Sequence, residues 1–240
     1  MDLGITGKRA AVAAASSGLG LGSARALAAE GVTVAICSRD RARVDDAAAS
    51  IEGSVIPLVA DVSTPAGAAG FVAAATEALG GVDILVPNAG GPPAGNFAST
   101  SIDAYPAALD LNLMSVVAMC TAAVPAMQER GWGRVVAITS VSVRQPIPNL
   151  ILSNTARAGA TAFLKTLARE VAADGVTVNS VQPGLHRTPR VARPDGTMPS
   201  SPMGEPDDFG QVVAFLCGEA ARFTTGVQLH VDGGAYAGLQ

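Results

Sequence analysis

The chain has 240 residues, a formal charge of −4, 49% hydrophobic and 15% charged residues. That length suits one α/β domain and is short for two, and so few charges exclude a disordered or coiled-coil protein. The acidic balance, without a Lys/Arg cluster, argues against a nucleic-acid face.

Cys37, Cys120 and Cys217 are odd in number and too far apart for a disulfide framework or a zinc site, so each is expected as a small buried hydrophobe and no metal is expected. The N-terminus lacks leader character, and no uncharged apolar run is read as a membrane span. A cytoplasmic protein acting on a small molecule is expected, with no membrane or nucleic-acid partner.

Along the chain, short apolar runs alternate with longer Ala-rich stretches of helical character. Strands are predicted at 10–14, 32–37, 55–60, 84–87, 134–139, 177–181 and 228–231. Helices are predicted near 18–30, 40–51, 65–79, 103–130, 153–173 and 206–218. The strands are continuously apolar (VTVAIC, RVVAIT), as strands are when helices cover both sheet faces. Strand–helix repetition implies right-handed crossovers, hence an α/β doubly wound parallel sheet of about seven strands in one Rossmann-type domain over 1–240. One stretch, 187–208, breaks the rhythm: it holds five prolines from Pro189 to Pro206 and no helical period. It is read as a loop, and such loops often carry the substrate site.

After the first strand come Ala13, Ala14, Ala15, Ser16, Ser17, Gly18, Leu19 and Gly20, then an amphipathic helix. Glycines at such a turn let backbone approach a pyrophosphate, and the helix N-terminus offers N–H groups and a positive dipole end. The plainer reading is a tight strand–helix turn. Its position, the first βα connection of a doubly wound sheet, favours a dinucleotide. At the end of the second strand an acidic residue bonds the ribose 2′-OH of NAD, whereas an Arg accommodates the NADP 2′-phosphate. Here Ser38 and Arg39 stand at that point. The planar guanidinium suits a phosphate dianion, so NADP(H) is expected ahead of NAD(H). Otherwise Arg39 caps the next helix or pairs with Asp40.

These motifs resemble the short-chain dehydrogenase/reductase family, and further matches follow across the whole chain in order. The turn is similar to the family's TGxxxGxG, with Ala14 at the first glycine, a change expected to tighten the turn without abolishing it. Asp61 and Val62 stand where the family holds the adenine ring, and Asn88, Ala89 and Gly90 match its NAG motif. Asn112 and Ser140 match its structural and catalytic Asn and its catalytic Ser. Pro183 and Gly184 follow the sixth strand, with Thr188 just beyond among the expected cofactor contacts, and Val231 to Gly234 match the closing VDGG. The resemblance implies a Rossmann fold, a nicotinamide cofactor and oxidation or reduction at a carbonyl or hydroxyl group.

The resemblance fails where the family has its proton donor. A Tyr about thirteen residues after the catalytic Ser, and a Lys four residues later, are Ser153 and Arg157 here. Tyr has a reference pKa of about 10 that a nearby cation can lower, whereas a serine alcohol is far less acidic and shorter. Arg157 can still bond ribose hydroxyls, but it is not a tunable equivalent of Lys. His186, two residues after Gly184, is the obvious replacement acid; alternatively it is an exposed loop histidine. His230, inside the last strand, is read as structural. Arg144 and Gln145 either orient an anionic substrate or belong to a solvated loop.

The 187–208 stretch is shorter than the family's lid, so a more open active-site mouth is expected. The predicted helices 103–130 and 153–173 carry apolar residues on more than one face (Leu109, Leu113, Val117; Ala158, Ala162, Phe163), which implies a homodimer or homotetramer. Three functions remain open: an NADP-linked oxidoreductase with an altered proton relay, a non-redox enzyme on the same scaffold, and a non-catalytic nucleotide-binding protein.

Overall fold

Side chains along the central strands alternate between two apolar layers. In β1 (Arg9–Val12), Ala10 and Val12 enter one layer and Ala11 the other. In β2 (Thr33–Ser38), Val34 and Ile36 part from Ala35 and Cys37 in the same way. Both faces are buried, which is why these strands read as unbroken apolar runs.

The computed structural model describes residues 2–192 and 195–239. The remaining strands are β3 (Val55–Val59), β4 (Ile84–Val86), β5 (Gly133–Ile138), β6 (Val176–Pro183) and β7 (Gln228–Val231). They form one seven-stranded sheet in the order β3-β2-β1-β4-β5-β6-β7, every pairing parallel. This is the α/β architecture expected. Pro57 sits in β3, an edge strand, where a missing N–H is tolerated.

The helices are α1 (Gly18–Ala29), α2 (Arg41–Ala49), α3 (Pro65–Leu79), α4 (Tyr105–Leu109), α5 (Ser115–Glu129), α6 (Ile151–Val171) and α7 (Pro206–Cys217). Leu27, Val44 and Phe209 put α1, α2 and α7 on one face; Phe71, Met119 and Leu164 put α3, α5 and α6 on the other. Each such side chain contributes about 1.5–3 kcal/mol of burial. Gly22 and Gly210 let α1 and α7 touch backbone to backbone, since a Cβ on either would strike the other helix. That contact draws the start of α7, and the loop before it, towards the carboxyl end of β1.

Three expectations change. The predicted helix 103–130 is a 3₁₀ turn (Ile102–Ala104), α4, a π turn (Asp110–Met114) and α5, because the side chains of Asn112 and Ser115 bond carbonyls at that point. The first strand ends at Val12 rather than 14, because Ala14 turns to φ 48°. The stretch Ile102–Glu129 is long and apolar enough to cross a membrane by composition, holding an 18-residue window of mean hydropathy 1.7, contrary to the reading above. Its inner face packs on α3 and β5 instead, with Met119, Cys120 and Met127 buried. The three cysteines are buried as expected, and desolvation pushes each thiol up to about 12.

Candidate active site

Connections diverge between β1 and β4, where the sheet order reverses, and a crevice opens at the carboxyl ends of the strands. It is a cleft of about 900 Å³, large for a ligand site. The cofactor and catalytic residues read from the sequence all line it except Asn112, which lies behind the wall.

One end is built by the glycine turn. Ala14 holds a left-handed φ of 48°, which costs a residue with a Cβ about 1–2 kcal/mol. Asn88 fixes that turn by donating from Nδ2 to the carbonyls of Ala13 and Ala14, both at 3.2 Å. Gly20 is required here: a Cβ would lie 2.7 Å from the Ala14 oxygen and 2.9 Å from Asn88 Nδ2. Asp40 and Thr64 cap α2 and α3 with their side chains, but Ser17 leaves the start of α1 without a side-chain cap. Ser16, Ser17, Gly18 and Leu19 therefore present an uncapped helix N-terminus to the cleft, which fits a pyrophosphate. Thr188 packs over Gly18, and Pro183 and Gly184 form the opposite wall, where the Gly184 N–H bonds the Val231 carbonyl at 2.9 Å.

Beyond the turn, the Ser38 hydroxyl accepts from the Asp40 N–H at 3.3 Å, and Asp40 itself caps α2 by accepting from the Arg43 N–H at 3.0 Å. Arg39 neither caps that helix nor pairs with Asp40 among the described residues; it stands exposed in the cleft wall. Arg43 lines the same wall, four residues on. Asp61 accepts from the Ser63 N–H at 3.0 Å; bonds from Ser63, and then the Arg39 charge, hold its carboxyl below the usual range. Val62 and Ala89 complete this end.

At the other end, Ser140 caps a short 3₁₀ turn (Val141–Val143), its Oγ accepting from the Ser142 N–H at 3.1 Å. Ser153 and Arg157 lie one turn apart on α6 and share its cleft-facing side. Arg157 donates from Nη1 to the Ile138 and Thr139 carbonyls and from Nη2 to Gly90, each at 3.2 Å. Burial, and then the charge of Arg190, pushes it down to about 10, so it remains a cation at neutral pH. Asn112 donates to the same Gly90 carbonyl at 2.8 Å, while its buried Oδ1 has no partner among the described residues. Arg157 and Asn112 thus grip one carbonyl from two helical segments.

His186 is not an exposed loop histidine. It is 4% exposed, edge-on to Phe209 with ring centroids 5.2 Å apart, and Nδ1 meets the Gly184 carbonyl at 3.2 Å. Its Nε2 side faces Gly204. Arg144 does not line the cleft but bonds Gln228, and Gln145 likewise lies outside it. His230 packs on Tyr236 with centroids 4.7 Å apart.

The proline-rich stretch lines the cleft through Thr188, Pro189, Arg190 and Val191. It is tied at its neck by paired backbone bonds between Leu185, Arg187 and Gly204 and by an Arg187–Glu205 ion pair at 2.9 Å. Between these ties a 3₁₀ turn (Pro189–Val191) crosses the cleft wall. Arg193 and Pro194, within the expected loop, lie outside the described residues.

Sequence reading missed Arg43 and Arg190. Arg43, in the first turn of the predicted helix 40–51 and close behind Arg39, was available as a signal; Arg190 sits in a loop without periodicity and gave none.

A family profile described as "Enoyl-(Acyl carrier protein) reductase" matches residues 13–236. The chain belongs to the short-chain dehydrogenase/reductase family of oxidoreductases. It is 34% identical over 244 residues to the human dehydrogenase/reductase SDR family member 4, covering 96% of this chain and 88% of that one. It is 36% identical over 182 residues to nodulation protein G of Azospirillum brasilense, covering 72% and 74%. Among solved structures it resembles the L-sorbose reductase of Gluconobacter frateurii complexed with NADPH and L-sorbose. The TM-score is 0.92 at 30% identity, over 100% of both chains.

Proposed function

We propose that this protein is an NADP(H)-dependent oxidoreductase acting on a carbonyl or hydroxyl group of a small molecule, with an altered proton relay. The observation that carries the cofactor is the pair Arg39 and Arg43 in the cleft wall beyond Ser38, with no acid in the place that would bond a free 2′-OH. The NADPH named for the Gluconobacter reductase agrees with it. The start of α1 would hold the pyrophosphate, and Asp61 and Val62 would flank the adenine. A nicotinamide bound there would supply hydride transfer to a carbonyl or from a hydroxyl.

The chain's own groups then act on the oxygen. Ser140 donates a hydrogen bond to it. Arg157, a fixed cation in a partly desolvated wall, stabilises the negative charge that develops there. Ser153 has no phenol to give, so the proton comes from water held by the two serine hydroxyls, and solvent returns a proton to the hydroxide left behind. His186 packs the loop rather than serving as the acid, since its ring is engaged by Gly184 and Phe209.

Calorimetric titration tests the cofactor: NADPH is expected to bind at least about tenfold tighter than NADH. Equal affinity contradicts the assignment. The missing phenol also favours a second reading, a non-redox reaction on this scaffold; absence of NADPH oxidation across a panel of ketones and quinones would select it.

The molecule is further proposed to pair through α5 and α6 as a homodimer or homotetramer, because Ala158 and Ala162 are exposed and Leu113, Val117 and Phe163 only half-buried. Light scattering is expected to give two or four times the chain mass, and a monomer contradicts it.

A further inference from the structure

The carboxylates in the cleft wall, Asp40 and Asp61, both stand at the Arg39 end. At the Ser140 end the wall holds two guanidiniums, Arg157 and Arg190, and no acid. They straddle Gly90 and Gly91. Arg157 Nη2 donates to the Gly90 carbonyl, and a side chain on Gly91 would collide with the Arg190 guanidinium.

Neither has an ion-pair partner among the described residues. The carbonyls that hold Arg157 satisfy its donors without cancelling its charge, and Arg190 makes no hydrogen bond among those residues. The two repel, which adds to the burial that lowers Arg157. Like charges brought together in a part-buried wall are unfavourable unless a ligand anion relieves them, and a guanidinium fork suits a carboxylate.

We infer that the substrate carries a carboxylate, held by Arg190 on the far side of Gly90 and Gly91 from Arg157, so that Arg190 selects oxo or hydroxy acids over neutral ketones and alcohols. This rests on the reading that the cleft takes NADP(H) and a carbonyl or hydroxyl compound. Arg190 is exposed on a 3₁₀ turn after Thr188, free to swing onto an anion without disturbing the sheet. Two residues before the turn, the Arg187 N–H donates to the Gly204 carbonyl, which anchors that end of the loop.

A matched pair of probes tests this, 4-oxopentanoate and 2-pentanone, titrated by calorimetry into protein saturated with NADP⁺ so that nothing turns over. The carboxylate is expected to bind at least about tenfold tighter than the neutral ketone. Arg190→Gln is expected to bring the two within about twofold while leaving NADP⁺ affinity unchanged. Equal binding of the probes, no binding of either at millimolar concentration, or a preference that survives Arg190→Gln overturns the inference. An equal loss of NADP⁺ affinity in Arg190→Gln also overturns it, assigning Arg190 to a cofactor phosphate. If NADP⁺ itself does not bind, the proposed function fails instead, and the same pair read on the free protein still decides the anion preference.

Discussion

The two ends of the cleft stand on the same sheet but differ in where their polar groups are committed. At the glycine-turn end, side chains hold backbone in place: Asn88 fixes Ala13 and Ala14, Asp40 and Thr64 cap their helices, and the start of α1 is left for a ligand. At the Ser140 end a charged side chain is spent on backbone carbonyls that a lysine's single ammonium could not span in the same way. The first end offers an uncapped helix N-terminus. The second sets the Ser153 alcohol beside the Arg157 cation, and under the proposed function that pairing decides what the site can do with a proton.

The largest expected effect lies at the second end. Ser153→Tyr with Arg157→Lys should raise turnover of ketones by NADPH about 10²–10⁴-fold, the usual worth of general acid catalysis, because Ser140 and the cradle are already present. Steady-state NADPH oxidation measures it, and an unchanged rate would mean that the two ends are not limited by different things. At the first end, Arg39→Ala should cut the NADPH preference by about tenfold and leave NADH binding unchanged, read by calorimetry. Smallest is Ala14→Gly. Relief of a left-handed alanine should stabilise the fold by about 1 kcal/mol or less, seen as a small rise in Tm without change in cofactor affinity.

The same contrast decides what was legible in the sequence. Strand periodicity and the glycine turn are local patterns, so the seven strands and the first βα turn followed from the residues. The π turn did not, because it depends on Asn112 reaching a carbonyl 22 residues away. Ser153 and Arg157 could be placed by spacing from Ser140, but nothing local shows that Arg157 bonds Ile138, Thr139 and Gly90. That His186 is buried rather than exposed was not legible, because its packing partner, Phe209, is distant in the chain. Arg190 faced Gly91 only once the loop was closed.

The claim that the site works by a fixed cation and held water, rather than by a titrating acid, is tested most directly by the pH dependence of kcat/KM for ketone reduction with NADPH. Burial holds Arg157 at about 10, below its ordinary value, so its charge is complete at neutral pH and lost as pH rises through that point. The profile should be level through neutrality and fall only as pH climbs towards about 10, and His186→Ala should keep that shape. A fall centred near the ordinary histidine value of about 6.5, abolished in His186→Ala, would contradict the account.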